Sequence, residues 1–352
     1  MKISYISTNA LSSATRLSIY KTQEKLAEAQ KEVTTGRLAD VGAALGYKTG
    51  QTISLRQDHA RLKTIIDTNS VVSTRLSSSQ AALKSLSDDA QLFVGQLIGA
   101  RNTDSGPKVV QAQAKAALVS LTNALNTSLD GAYLFAGVNA DVKPVTDYYA
   151  TPTSANRQAV ADAFSTHFGF NIGDPAAASI TAADMQTFLD GDFANLFEDP
   201  AWGADWSGAS DQNIKSRIST SELIETSTNA NDVSIRKLAK ALTMLADLGV
   251  EGLNRGAFEA VVDTAVRLAG ESVQNLAEEQ ARLGTAQERV KNANDRMSIQ
   301  VDILTTHINL LEAVDPYEAS TRVSALMTQV ETAYAMTARI QNLSLLKYLP
   351  PG

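Results

Sequence analysis

Cysteine is absent from the 352 residues. That excludes disulfides, zinc–thiolate sites and thiol nucleophiles together. It is compatible with the cytosol and equally with export as an unfolded chain. Proline is sparse, at eight residues. Few prolines favour long helices, because each removes a backbone donor and clashes with the preceding turn. Aromatic residues make up 6% of the chain, too few for an all-β sandwich, whose strands favour aromatic and β-branched side chains. Basic charge is in deficit: 31 Lys and Arg against 38 Asp and Glu leave a net charge of −7. A nucleic-acid binder needs a basic face to displace counterions, and the chain has no dense Lys/Arg run. No window approaches eighteen uninterrupted apolar residues, so no membrane insertion is expected. The first twenty residues lack the apolar core and small-residue cleavage site of a secretory signal peptide.

What the chain does have is a long apolar repeat. Over residues 262–311 every seventh position is apolar: Val262, Ala269, Leu276, Leu283, Val290, Met297, Leu304 and Leu311. A seven-residue repeat keeps one seam of a helix facing a partner. If helical throughout, the segment spans roughly 75 Å at the usual rise per residue, so the molecule is expected to be long and thin. Beside the seam lie Gln280, Gln287, Asn294, Val301 and Ile308, with small Ala286 and Ala293. Polar groups in such places weaken a seam but fix its register.

A second seam runs from Leu62 through Ile65, Asn69, Val72, Leu76, Ser79, Leu83, Leu86, Ala90 and Phe93 to Leu97. Its steps alternate between three and four residues, the helical signature. Asn69 and Ser79 interrupt it. Residues 104–107, ending in Pro107, break this helix and start an alanine-rich one over 109–129. Residues 131–137, aromatic between glycines, read as a strand or hairpin arm. Between 141 and 211 the composition shifts. Four of the eight prolines lie there with both tryptophans, Trp202 and Trp206. Short helices are expected at 155–164 and 182–189, within a small inserted α+β module. Another helix, carrying Val233, Leu238, Leu242 and Leu245, ends at Gly249.

Each terminus reads as an amphipathic helix. Residues 4–35 place Ile3, Ile6, Ala10, Leu17, Tyr20 and Ala27 near one stripe, and Gly36 supplies a stop. Residues 36–50, with four glycines, read as a non-helical connector. Residues 316–347 carry Val323, Leu326, Val330, Ala333, Ile340 and Leu343. The plan is a palindrome: helix, breaker, seam, insert, seam, breaker, helix. It implies a mainly α, elongated coiled-coil or helical-bundle rod built from both chain ends. Two lone amphipathic helices would leave apolar stripes in water. They must pair with each other, pack on other subunits, or order only on assembly. The ends are therefore expected to be assembly elements, through Ile3, Ile6, Leu17, Val323, Leu326, Val330, Ile340, Leu343 and Leu346. The bundle seam is expected to rest on Leu62, Ile65, Val72, Leu76, Leu83, Leu276, Leu283, Val290, Met297, Leu304 and Leu311. The expected domains are 1–50 with 312–352, 51–140 with 212–311, and the insert 141–211.

The run from Ile6 through Ser7, Thr8, Asn9 and Ala10 to Leu11, and the helix reaching Thr34, Thr35, Gly36 and Arg37, resemble the N-terminal signature of bacterial flagellins and their hook-associated relatives. Residues 315–319, Asp-Pro-Tyr-Glu-Ala, resemble the short acidic break before the last flagellin helix. Residues 341–346, Gln-Asn-Leu-Ser-Leu-Leu, resemble the family's C-terminal ending. The similarity covers roughly 1–140 and 215–350. The opening Met1-Lys2-Ile3-Ser4 and residues 131–137 are more like the hook–filament junction branch than the filament-forming one. The resemblance implies that the terminal helices form an inner coiled-coil domain lining a tube, with a helical-bundle domain outside it and the insert facing the surface. It implies export unfolded through the flagellar type III apparatus, without a cleaved signal. It further implies four kinds of partner: copies of the same chain, the first hook-associated protein, flagellin and a cytosolic export chaperone.

Chemistry is sparse. His59, His167 and His307 are scattered, no H-E-x-x-H occurs, and no phosphate-binding glycine loop is present. The run from Asp190 to Asp199 has an acidic, metal-like look. It lacks the glycine and closing glutamate of a calcium loop, with Asn195 and Ala201 in those places. Asn126-Thr-Ser128 matches a glycosylation pattern inside an expected helix, which favours a chance match. Trp202 and Trp206 with Phe193 and Phe197 could form a sugar platform, but a small module needs such side chains for its own core. No nucleophile–base pair can be argued, so neither enzyme activity nor a cofactor is expected.

Overall fold

The structure, a computed structural model, describes the backbone of residues 8–342 and the side chains of residues 12–339. It is mainly α. The helices are α1 (Thr8–Thr35), α2 (Val41–Leu45), α3 (Thr49–Ala100), α4 (Gly106–Leu125), α5 (Ala155–Phe168), α6 (Ala182–Asp190), α7 (Asp192–Asn195), α8 (Val233–Asp247), α9 (Arg255–Glu312) and α10 (Pro316–Asn342). Two antiparallel hairpins complete it: β1 (Ser128–Leu129) with β2 (Ala132–Tyr133), and β3 (Lys215–Arg217) with β4 (Leu223–Glu225). The chain divides into two compact units, residues 1–63 with 298–352, and residues 64–297.

In the first unit α1 packs against α10. Of the three fates expected for the terminal helices, the described residues show them paired with each other. Gly36, at φ 66°, ends α1. A positive φ there is cheap only for glycine, the usual helix stop. The stretch 36–50, expected to be non-helical, instead holds α2, a 3₁₀ turn at Gly46–Lys48 and the start of α3. The Asp40 side chain accepts from the Ala43 N–H at 2.9 Å and so caps α2. Glycines here punctuate short helices instead of preventing them. Asp315 accepts from the Tyr317 N–H at 2.8 Å. With Pro316 as its first residue, α10 begins where proline's missing donor costs nothing.

In the second unit the α3 and α9 seams meet antiparallel. Leu76, Leu83, Leu86 and Leu97 of α3 are buried, as are Val262, Ala269, Leu276, Leu283, Val290 and Met297 of α9. Ile65 and Val72 are half-buried. Most polar seam positions find partners, whereas the hydroxyl of Ser79 is buried without one. The Asn69 amide donates to Asn294 Oδ1 at 2.7 Å and to the Ile218 carbonyl at 2.8 Å. Gln80 donates to the Gln280 carbonyl at 2.7 Å, and Gln287 to Ser77 Oγ at 3.2 Å. Any slip along the seam breaks these bonds, so they hold the register. Helix α4 buries Val110, Ala114, Leu118, Leu121 and Leu125 and packs on α8. Buried residues nearly surround α8, including Ile235, Leu238, Ala239, Leu242 and Leu245. Its basic residues Arg236 and Lys237 lie at the edge of that core and pair with Asp199 and Glu271.

Residues 141–211 form a compact helical segment around one aromatic core. Phe164, Phe188, Phe193, Phe197, Trp202, Trp206 and Tyr148 are all buried. A single π-turn spans Trp202–Trp206, and it stacks the two indoles at 5.6 Å and 9°. Tyr148 stacks on Trp206 at 5.4 Å, and its hydroxyl donates to Asp247 of α8 at 3.0 Å. Arg157 donates to the same carboxylate at 3.1 and 3.3 Å. The β content expected inside the insert is, among the described residues, one bridge between Val145 and Ser207. The hairpins lie on either side of it in sequence. Residues 131–137 contribute β2 and then buried Leu134, Phe135 and Ala136. Gly137, at φ 63°, lies so close to the carbonyls of Ser210 and Gln212 that an added Cβ would stand 2.5 and 2.6 Å from them.

Candidate assembly surface

The α1·α10 pair has an inner and an outer side. On α1 the inner positions are Ile19 and Ala29, both buried, with half-buried Ser12, Thr15, Thr22 and Leu26. The described members of the stripe read from the sequence lie off this inner side. Leu17 and Tyr20 are 57% and 66% exposed, and Ala27 is exposed as well. The reason is the chemistry of the seam. Its in-between positions are serine, threonine and alanine, so apolar residues alone trace the wrong face. On α10 the inner positions are buried Ala319 and half-buried Val323, Leu326, Val330 and Ala333. Ile3, Ile6, Ala10, Leu343 and Leu346 lie outside the residues whose side chains are described, as does the side chain of Ile340.

The outer side also carries large apolar residues among its polar ones. Tyr317, Met327 and Tyr334, spaced ten and seven residues apart, are 86%, 53% and 53% exposed on α10, and Met336 is exposed on another side of the same helix. Tyr334 keeps a polar tie, its hydroxyl accepting from Gln23 at 2.7 Å. The end of α9 presents Ile299, Ile303 and Leu310 to solvent, although its other face holds buried Ile308 and half-buried Leu304 and Leu311. Among the described residues, twelve of the 21 exposed large hydrophobics fall in the first unit. That unit holds under a third of the described side chains. Exposed apolar surface concentrated in this way marks an interaction site. Each large apolar side chain that becomes fully buried contributes on the order of 1.5–3 kcal/mol.

Elsewhere most of the side chains singled out in the sequence have structural work. His167 pairs with Asp192 at 2.7 Å and packs on Phe168 and Phe188. His307 is exposed and His59 half-exposed. In the acidic run, Asp190 accepts from Gln186 at 2.8 Å, and Asp199 accepts from Arg236 at 2.9 Å. No group of three metal-ligating side chains occurs among the described residues. Asn126 is held in place on both sides of its amide, donating to the Val145 carbonyl at 2.9 Å and accepting from the Val145 N–H at 3.0 Å. Its sequon is thereby part of the fold. The four aromatic candidates for a sugar platform are each no more than 2% exposed, which makes them core.

Comparison with known proteins points the same way. The family model of the bacterial flagellin N-terminal helical region matches residues 6–140, and that of the C-terminal helical region matches residues 266–349. No curated protein matches the sequence significantly. A solved structure described as a candidate flagellar hook-associated protein from Vibrio parahaemolyticus superposes with a TM-score of 0.51. The match spans 75% of this chain and 97% of that one at 9% identity, which is a likeness of fold. The two matched regions hold α1, α10, most of α9 and all of α3 and α4, more than half of the residues, and on that ground the chain belongs to the bacterial flagellin family.

Proposed function

We propose that this chain is a structural subunit of the bacterial flagellum that joins hook to filament and acts by packing. The observation that carries the reading is the pairing of the family-matched chain ends, α1 with α10, with Leu17, Tyr20, Met327 and Tyr334 left facing outward. In this reading residues 1–50 and 312–352 form the inner domain, residues 51–140 and 212–311 the helical bundle, and residues 141–211 the outer module. Copies of the chain pack through the terminal helices, including Ile3, Ile6, Leu17, Val323, Leu326, Val330, Ile340, Leu343 and Leu346. The first hook-associated protein lies on one side and flagellin on the other. The chain is exported unfolded, without a cleaved signal peptide, after a cytosolic chaperone has held its C-terminal helix. Its place is then the extracellular flagellum. The absence of cysteine suits a chain that must be threaded unfolded.

Sedimentation of the full chain and of a chain lacking residues 316–352, over a range of concentrations, tests the assembly role. The full chain is expected to self-associate and the shortened one to stay monomeric; equal association overturns the reading. A filament subunit is the second reading, favoured by family matches that are themselves described as flagellin. Purified protein that extends filament seeds into long polymers would establish it over the junction role.

A further inference from the structure

Among the described residues the chain buries two carboxylates, Glu32 and Glu312. Both lie in the first unit, where the chain leaves α1 and where it enters α10. Glu312, the last residue of α9, is 0% exposed. Arg56 of α3 takes both its oxygens: Nε donates to Oε1 at 2.7 Å and a terminal nitrogen donates to Oε2. Arg37 stands 3.6 Å from Oε2. Glu32, in the last turn of α1, accepts from the Ala39 N–H at 3.2 Å and from Arg322 of α10 at 2.9 Å.

Between these two carboxylates the chain's outgoing and returning segments are stitched together. The Leu38 N–H donates to the Glu312 carbonyl at 2.9 Å, and the Val314 N–H donates to the Gly36 carbonyl at 3.0 Å. Arg37 and Ala313 form an antiparallel bridge.

The energetics of such pairs are asymmetric. A buried ion pair adds little net stability, but leaving one of its charges buried and unpaired costs several kcal/mol. The arrangement therefore penalises misplacement more than it rewards folding. The α1·α10 seam needs such a device. Ser12, Thr15, Thr22 and Ala29 give shallow knobs, and a seam of small residues specifies register weakly. A shift of one residue would take Glu32 away from Arg322.

We propose that Glu312–Arg56 and Glu32–Arg322 form a two-part latch that sets the register of the α1·α10 pair and its orientation on the α3 and α9 segments of the same unit. The latch holds the outward faces in the one geometry in which copies can pack. That last step rests on the assembly role proposed above. Glu32, Arg56, Glu312 and Arg322 are in this sense positioning residues, not contact residues.

Amide exchange by mass spectrometry on the full chain tests the latch, with Glu312→Gln, Arg56→Met and the double variant. Glu312→Gln is expected to speed exchange at residues 36–39 and 313–316 at least tenfold. Tryptophan emission from the second unit should not change. Arg56→Met should speed it further, because it leaves the fully buried Glu312 carboxylate without its two-point partner, whereas Glu312→Gln leaves only the half-exposed Arg56. The double variant should exchange no faster than Arg56→Met, because both substitutions break the same bond. Unchanged exchange, or effects that multiply in the double variant, would overturn the latch. If Glu312→Gln loses its helical circular dichroism altogether, Arg322→Met carries the test, since it opens the partly exposed pair alone. Faster exchange at residue 39 and along α10 supports the proposal, and wild-type exchange there overturns it. Self-association, measured on the same variants, reports separately on the assembly role. A latch that opens while association is retained would count against that role and leave the latch standing.

Discussion

Asn69 and Asn294 meet amide to amide across the α3–α9 seam, 2.7 Å apart, where every neighbouring seam position of α3 on the C-terminal side from Leu76 to Leu97 is buried. Asn69 is fully buried, and its own Oδ1 has no partner. The pair therefore buys register at the expense of stability, the role best attested for a lone buried asparagine in a coiled coil. Replacing Asn69 with Ala leaves the Ile218 carbonyl and the Asn294 amide unpaired and should lower the stability of the second unit by about 1–3 kcal/mol. Replacing both asparagines with Leu should cost less, because only the Ile218 carbonyl is then left unpaired and the seam gains apolar contact. Thermal unfolding followed by circular dichroism separates the two outcomes, and a double-Leu variant less stable than Asn69→Ala would refute this reading.

Tyr148 and Tyr149 should resist ionisation. Burial is the main cause for both, with the Asp247 carboxylate adding to it. Tyr149 is pushed up to about 12, and Tyr148 is raised well beyond the ordinary value of 10. The folded state thus keeps protons that the unfolded state gives up. Stability from this pair is fully present below pH 10 and is lost as pH rises above it, the Tyr149 share by about pH 12 and the Tyr148 share at still higher pH. Phenolate absorbance during an alkaline titration should show two of the nine tyrosines ionising late, together with a change in tryptophan emission. Nine tyrosines titrating together near pH 10 would contradict the structure.

Much of the architecture is legible in the sequence because it rests on apolar periodicity. The α9 heptads from Val262 to Met297 and the α3 run from Leu62 to Leu97 face the core as their spacing implies. Gly36, Pro107 and Pro316 mark helix ends because their backbones permit little else. What the spacing hides is polar. The inner face of α1 is built from Thr15, Thr22 and Ala29 around Ile19 and Leu26, so the outward Leu17 and Tyr20 look like the core side. Thr52 is buried in the first turn of α3, just past the stretch that reads as connector. Glu312 and Glu32 look like surface residues because the arginines that bury them are 256 and 290 positions away. Pairing over such separations leaves no local pattern.

Charge is unevenly divided, and that division makes self-association salt-dependent. Residues 141–211 hold eleven carboxylates against Lys143 and Arg157. Ten of the eleven are exposed. That segment therefore carries more negative charge than the chain's net −7, and the remainder is slightly positive. If copies meet through their terminal helices, their inserts repel, and salt weakens the repulsion over a Debye length of about 10 Å at 0.1 M. Sedimentation should show association strengthening as salt rises from low to moderate concentration. Association that weakens with salt would mean that ion pairs, not apolar faces, hold the copies together.

The claim at the centre of the account is that the outward faces of α1 and α10 meet those of neighbouring copies. A chain without cysteine allows a direct measurement. Leu17→Cys and Met327→Cys chains are mixed in equal amounts, assembled, and treated with a short bifunctional maleimide. Leu223→Cys, 55% exposed on β4 of the second unit, is the control. The account predicts cross-linked dimers from the Leu17 and Met327 variants in the assembled state, none at dilutions that keep the chains apart, and none from the control. Equal cross-linking at Leu223, or none at Leu17 and Met327 in a formed assembly, would contradict it.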